Sequence, residues 1–480
     1  MRKRWLAGVL AVLLLAGCTP AVPEPSPIPT PAPVQTPAPT PTPARSLELD
    51  GFLQEINARR RAVIEDGEPL DITPWTPDFS EQNDTFTQAE LEVLTTPREL
   101  EQEPVLAQLQ EDAETVFTLL RTTYGAYEYF GGDEVFLPLR DQVLEELALE
   151  GRVLYRHTLQ DLLYNVLSPI IRDGHFKIGD RSLIHEKGLY MYYVPGLYFT
   201  DTAGLDPAYV KPTVGPDGAI VYWFAALSHD GSDLPSTLGG YDLHWEQAGY
   251  GGIEDRKNGV VFSEREQDGI PVLVSRGMYS ETPEGQAQLD RFAACGEEYA
   301  DVSPLVFDLR FNPGGMSNYF MYWAWGWTGQ QVRPRNAGGH RFSQLGCFQV
   351  QSYPKEQMGT WGTWSADGQW IEREGLTLVL MDKGIASAGE EAVERLHSVE
   401  NVVFLGGPTS GCSLVSNNIH IYLPRTGLEL YFGTGLSFHD TIDNIDGTGN
   451  LPDLWVEPAD ALDAAVRLCR YYGVAGKTAP

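Results

Sequence analysis

The stretch Leu305-Val306-Phe307-Asp308-Leu309-Arg310-Phe311-Asn312-Pro313-Gly314-Gly315 reads as a short buried strand ending in a turn of bare backbone. An apolar run this short, closed by Pro-Gly-Gly, is the pattern of a strand covered on both faces. Ser317 then stands where it can cap a helix through Tyr319-Phe320-Met321-Tyr322-Trp323. The pattern recurs downstream. Leu376 to Met381 is a second apolar strand, followed by Gly384-Ile385-Ala386-Ser387-Ala388-Gly389-Glu390, a helix to about Ser398 and a third strand from Val402 to Leu405. From Ser303 onward strand and helix alternate. This βαβ signature puts motif residues at the carboxyl ends of strands, where open α/β sheets place their sites.

Outward from that region the texture changes. Leu189 to Val194, Ala219 to Phe224 and Ile270 to Ser275 are aromatic or β-branched runs punctuated by Gly, Asp and Pro, which predicts strands and turns over 183–300, with a helix from Gln286 to Tyr299. Residues 46–182 are mainly helical in pattern. Glu103 to Tyr129 carries apolar residues near the 3.6 period and Gly131-Gly132 is expected to end it; Val135 to Leu149 and Thr158 to Arg172 are two more candidates. Ser46 to Gln102 is polar and reads as a loosely packed lead-in.

The N-terminus reads as an address and a tether. Arg2, Lys3 and Arg4 precede an apolar stretch from Leu6 to Ala16, too short to span a bilayer, and then Leu15-Ala16-Gly17-Cys18. This resembles a bacterial lipoprotein signal, which implies a signal peptide over 1–17 and acyl chains on Cys18. Between Thr19 and Pro43 there are 11 prolines, so this segment cannot build helix or central sheet and reads as an extended spacer within 18–45. The expected location is extracytoplasmic, with the protein lipid-anchored to the bacterial cell membrane or envelope.

With 66 acidic and 34 basic side chains the net charge is −32, which excludes nucleic acid as a natural partner because such binding needs Lys and Arg on phosphates. Five scattered cysteines exclude a disulfide-dense scaffold, and without a CxxC pair or HExxH no sequence-local metal motif is present; no metal and no cofactor are expected.

Ser387 follows a strand and opens a helix, where unpaired backbone N–H groups can stabilise an oxyanion; taken alone, it reads as a plain N-cap. The Asn312-Pro313-Gly314-Gly315 turn can supply a second such N–H. A serine hydroxyl needs a base, and His175 in Arg172-Asp173-Gly174-His175-Phe176 is the most suggestive of nine histidines.

Asp-Gly-His at 173–175, the Asp308–Gly315 stretch, Ser-Ala-x-Glu at 387–390 and Gly-x-x-Pro-Asp at 449–453 occur in one order. That order resembles the tail-specific or C-terminal processing serine peptidases, relatives of the tricorn core protease and interphotoreceptor retinoid-binding protein, over roughly residues 105 to 470. The resemblance implies an α/β (overall α+β) fold: a crotonase-like or Clp-like βαβ catalytic core over 301–480, a helical N-terminal subdomain over 46–182 and a β-rich insert over 183–300 with no clear PDZ loop. The family's bacterial members use a Ser–Lys dyad, but Cys412 stands in the lysine place here. The tricorn branch instead uses an upstream His and a downstream carboxylate. By that resemblance Ser387 is the nucleophile, His175 the general base and acid, and Asp446 the group that holds the imidazole, with Asp440 or Asp443 as alternatives. Gly314 or Gly315, with the Ala388 amide, would form the oxyanion hole. The implied activity is a membrane-anchored serine endopeptidase acting on polypeptide substrates through an acyl-enzyme. The alternative is a catalytically inactive peptide- or ligand-binding lipoprotein on the same fold. A purely structural envelope protein leaves both motifs without a use.

Overall fold

The computed structural model describes residues 48–80, 85–98, 103–151, 153–184 and 188–474. The expected signal peptide over 1–17, the lipidated Cys18 and the proline spacer over 18–45 lie outside them. The protein is α/β, with helices covering sheets of mixed type.

Strands Ile270–Ser275, Leu305–Asp308, Thr377–Met381 and Val402–Gly406 run parallel and adjacent, flanked by Leu454–Trp455 on one edge and the antiparallel Phe262–Gln267 on the other. Their alternate residues serve opposite faces, as the two-residue period of a strand requires. Leu305, Phe307, Val379, Met381 and Phe404 pack with Phe292, Trp323, Trp327 and Val393 from helices Pro283–Ala294, Asn318–Thr328 and Ala388–Leu396. Val306, Leu378, Leu380, Val403 and Leu405 pack on the other face with Leu49, Phe52 and Ile56 of helix Leu49–Asp66 and with Ala465 and Leu468 of helix Ala461–Tyr471. Covering both faces is what makes these strands continuous apolar runs, each large side chain contributing about 1.5–3 kcal/mol by burial.

Helix Leu49–Asp66 corrects the reading of Ser46 to Gln102 as loosely packed. Its buried residues Leu49, Phe52, Ile56, Arg60 and Ile64 recur every three or four positions. Arg60 hides that period in the sequence because it is buried by pairing: Nη2 lies 2.5 Å from Asp453 Oδ2, and its guanidinium lies over the Phe404 ring.

A second sheet of six strands is antiparallel. Its order is Trp361–Asp367, Arg335–Arg341, Glu429–His439, Lys177–Ile178, Arg181–Ser182, with Val415–Tyr422 also on Glu429–His439. Helices Leu106–Thr123, Gly132–Leu147 and Arg156–Leu167 share a core with it through residues such as Phe117, Phe136, Leu163, Ile421 and Phe432. The first of these helices stops at Thr123; Gly131, at φ 107°, starts the next helix rather than ending this one. The pairing of Lys177 with Tyr431 matters most for function. It carries the Asp173–His175 turn, expected in a helical front, onto the strand that leads to the C-terminal loop.

The stretch 183–300 is not one insert. Tyr190–Phe199, Val210–Val214, Ile220–Ser228 and Glu246–Gln247 form a four-stranded antiparallel sheet, whereas Phe262–Gln267 and Ile270–Ser275 join the parallel sheet. Every residue of Ile270–Ser275 is buried, as a central parallel strand demands. Among the described residues no helix is long and apolar enough to cross a membrane.

Candidate active site

Strand Thr377–Met381 delivers the chain to a tight loop, and Ser387 precedes helix Ala388–Leu396. Its backbone sits at φ 54° and ψ −126°, a region that non-glycine residues avoid, at a cost of about 1–3 kcal/mol. The neighbours over-determine this shape. The Ser387 N–H donates to Cys412 O (3.0 Å), the Ala386 N–H to Asn312 O (3.0 Å) and the Ser410 N–H to Ile385 O (2.8 Å), while the Ser387 carbonyl accepts from Glu390 and Glu391. The Ser387 side chain makes no capping hydrogen bond, so the plain N-cap role is not the one it plays.

The second motif is built by a buried ion cluster. Burial alone would raise the Asp308 carboxyl, but Arg310 and Arg276, at 2.6 Å each, hold it well below the usual carboxylate range. Arg276 also donates to the carbonyls of Asp308 and Arg310 (2.9 and 3.0 Å), bending the strand end toward Ser387. At Gly314, φ is 92°, and a Cβ there would lie 2.7 Å from Ala388 N and 3.0 Å from Ser387 Cβ, so only glycine admits this approach. The Gly314 N–H is spent on Asn312 Oδ1 (2.9 Å). Between the two candidates for the oxyanion hole, this leaves Gly315. Within the described residues neither the Gly315 nor the Ala388 amide donates a hydrogen bond.

Ser387, His175, Gly315, Ala388 and Cys412 line one cavity of about 710 Å³. The His175 N–H donates to Asp173 Oδ1 (2.8 Å), and Asp173 Oδ2 accepts from the buried Tyr124 hydroxyl (2.8 Å). Burial, and secondarily Lys177, pushes the imidazole down to about 4, so it is neutral at pH 7. The expected bond from Asp446 to the imidazole is not made: His175 Nδ1 has no hydrogen-bond partner. Asp446 is instead saturated by backbone, its Oδ2 accepting from Gly174 N–H (2.8 Å) and its Oδ1 from Ser413 (2.9 Å) and Leu414 (3.1 Å). Three amides converge on this buried carboxylate because the loops before His175 and after Cys412 would otherwise leave their donors orphaned. His175 and Ser387 make no hydrogen bond to each other in the described residues. Of the alternatives to Asp446, Asp440 pairs with His397 (3.1 Å), and Asp443 lines only a smaller pocket beside Asp446.

Cys412 stands against the Asp-Gly-His turn. A Cβ at Gly174 would lie 2.7 Å from Cys412 Cβ. Burial raises the Cys412 thiol well above its ordinary value, which leaves it a protonated filler rather than a base. Its backbone has a clearer part: the C=O receives the Ser387 amide and the N–H donates to Glu390 Oε2. Glu390, the last residue of Ser-Ala-x-Glu, is fully buried, accepts from Thr409 Oγ1 (2.5 Å) and Gly411 N–H (2.8 Å), and is raised by burial to about 8. Sequence reading gave it no role; the signal was a carboxylate three residues into a helix whose first turn had to be buried. Lys383 pins the Asp446 loop from the other side, donating to Gly447 O at 3.0 Å. Cys295, Cys347, Cys412 and Cys469 are all free and buried. Among the described residues no group of three or more His, Cys, Asp or Glu could hold a metal ion.

Known proteins resemble this chain in part. Similar solved structures include a putative peptidase from Parabacteroides merdae ATCC 43184 (15% identity over 75% of this chain and 96% of that one, TM-score 0.40). Others are mature CPAF complexed with lactacystin (12%, 77% and 99%, TM-score 0.42) and the photosystem II D1 C-terminal processing protease (15%, 78% and 99%, TM-score 0.39). No curated protein matches the chain. The model of peptidase family S41 matches residues 276–456, from the arginine that clamps Asp308 to the strand beyond Asp446. His175 falls outside the matched segment, while Ser387, Gly315 and Asp446 fall inside it.

Proposed function

We propose that the protein is a serine peptidase that cleaves polypeptides through an acyl-enzyme on Ser387. The observation that carries this reading is the Ser387 backbone: a positive φ at a non-glycine residue, its hydroxyl committed to no cap, on the wall of a cavity shared with a neutral imidazole. Strain of this kind persists where the surroundings enforce it, and active sites are where it concentrates.

The chemistry follows from these positions. His175 Nε2 takes the proton of Ser387 Oγ as Oγ bonds to the scissile carbonyl carbon. The carbonyl oxygen becomes an oxyanion and accepts from the Gly315 and Ala388 amides, each such donor contributing about 3–4 kcal/mol. The C–N bond then breaks and the imidazolium returns the proton to the departing amine. Water repeats the sequence on the ester, freeing the carboxylic acid and Ser387. Asp446 serves as a positioning residue, fixing the Gly174 amide and thereby the turn that presents His175. We further place the folded body outside the cytoplasm, tethered by lipid on Cys18; the Leu15-Ala16-Gly17-Cys18 order supports this. Incorporation of labelled palmitate that disappears in Cys18→Ser tests the tether.

A second reading is a peptide-binding protein without turnover. The unpartnered His175 Nδ1 and the missing Ser387–His175 hydrogen bond favour it, although such contacts often tighten only with substrate. A fluorophosphonate probe separates the two. Labelling of the wild type that vanishes in Ser387→Ala and falls at least a hundredfold in rate in His175→Ala supports the peptidase. Absence of labelling in the wild type supports the binder, and labelling retained by Ser387→Ala removes Ser387 as nucleophile.

A further inference from the structure

The charged residues lining the cavity are Glu391, Glu394 and Arg395. Glu391 and Arg395 neutralise one another at 2.6 Å, with Arg395 also donating to Val332 O. Glu394 has no such cation. Its side chain is 3% exposed, and neither carboxylate oxygen accepts a hydrogen bond in the described residues. His439 Nε2 lies 3.1 Å from Oε2 without completing a hydrogen bond, and burial pushes that imidazole down, keeping it uncharged. Burial raises the Glu394 carboxyl to about 8, with Glu391 and Asp440 adding repulsion and Ser413 and Asn450 lying near enough to favour the ionised form. A buried carboxyl in a cavity wall, with neither oxygen in a well-formed hydrogen bond and no cation beside it, has room for a partner from the cavity side.

Its place on the helix gives the scale. Ser387 immediately precedes helix Ala388–Leu396, and Glu394 lies two turns along it. At 1.5 Å per residue the separation is about 10 Å, which an extended basic side chain and its carbonyl can bridge from Ser Oγ. A neutral side chain reaching that depth would leave the Glu394 carboxyl protonated and unpaired, whereas a guanidinium supplies the charge that ionises it and the donors that bond it.

We propose that Glu394, beside His439, is the specificity-determining group for a cationic substrate side chain, arginine before lysine, on the acyl side of the scissile bond. The inference rests on the peptidase reading of Ser387 for its geometry and adds the substrate class.

The test uses two peptidyl-aminomethylcoumarins that differ only in arginine or its neutral isostere citrulline before the reporter amide. The wild type is expected to favour arginine at least tenfold in kcat/KM, Glu394→Gln to bring the ratio near one, and Glu394→Asp, which keeps an ionisable carboxyl, to retain a preference. A wild-type ratio below two, or a tenfold ratio that survives in Glu394→Gln, overturns the inference. Binding of the same two sequences as fluorescent amides to Ser387→Ala, read by anisotropy, distinguishes this failure from failure of the peptidase reading. Tighter binding of the arginine peptide without wild-type turnover sinks the chemistry and keeps the pocket. Turnover without preference does the reverse.

Discussion

The Asp446 carboxylate accepts a 2.8 Å hydrogen bond from the backbone N–H of Gly174, the residue before His175. A carboxylate from the C-terminal loop therefore sets the histidine turn through the main chain. With Ser413 and Leu414 on its other oxygen, the same group ties together the turn before His175 and the loop that carries Cys412. Replacing Asp446 by Ala orphans three donors, one buried and two partly buried. Each unsatisfied group costs about 1–3 kcal/mol, so Asp446→Ala is expected to lose about 3 kcal/mol or more in urea unfolding and to slow probe labelling of Ser387. Unchanged stability would show that the three amides find other acceptors.

Ser387→Gly separates strain from chemistry. Glycine reaches φ 54° without a Cβ clash, so the substitution is expected to raise stability by about 1 kcal/mol while abolishing covalent labelling. Most substitutions destabilise; a gain at the nucleophile position, measured by the melting temperature, is the signature of stored backbone strain. A loss of stability here would mean that the side chain contributes packing instead.

The pH profile tests the base. Burial holds His175 down to about 4 rather than 6.5, so the neutral, proton-accepting form persists well into acid. The acid limb of kcat/KM is expected near pH 4 to 5. The sign for stability is consistent: between about 4 and 6.5 the unfolded chain binds a proton that the folded one does not. The His175 contribution is therefore complete above about 6.5 and is lost as pH falls through 4. An acid limb centred near 6.5 would contradict the buried neutral imidazole. Cys412→Ala should leave both limbs in place, because burial keeps its thiol protonated.

The clamp behind the oxyanion turn makes a structural prediction. Arg276 is 1% exposed and shares Asp308 with Arg310. Removing one partner of a buried ion pair costs about 3–5 kcal/mol, and Arg276→Met should show that loss in denaturant unfolding. Since Arg276 also bonds the carbonyls of Asp308 and Arg310, probe labelling should slow even where the variant remains folded.

Much of the fold is legible in the residues themselves. Leu305 to Leu309, Leu376 to Met381 and Val402 to Leu405 appear within a residue of their observed bounds, because strands buried on both faces must be continuously apolar. The order of Ser387, Gly314-Gly315 and the Asp-Gly-His turn is equally a sequence property. Helix Leu49–Asp66 was obscured because its inward face includes Arg60, acceptable only through Asp453, hundreds of residues away. Strand Ile270–Ser275 was legible as a strand, but its neighbours were not. Pairing is decided by hydrogen bonds between distant segments, and it assigned this strand to the parallel sheet.

The site divides along the same line. Local chemistry alone determined that a serine opens a helix after one buried strand and that a Pro-Gly-Gly turn closes another, since those facts need only neighbouring residues. Tertiary structure alone decided that Gly314 is spent on Asn312 while Gly315 is free, and that Asp446 reaches a histidine turn through its backbone. It alone placed Glu394, without a counter-ion, in the wall of the Ser387 cavity. Each depends on which orphaned donors and charges meet in space, and that is settled by the packing of segments the chain keeps far apart.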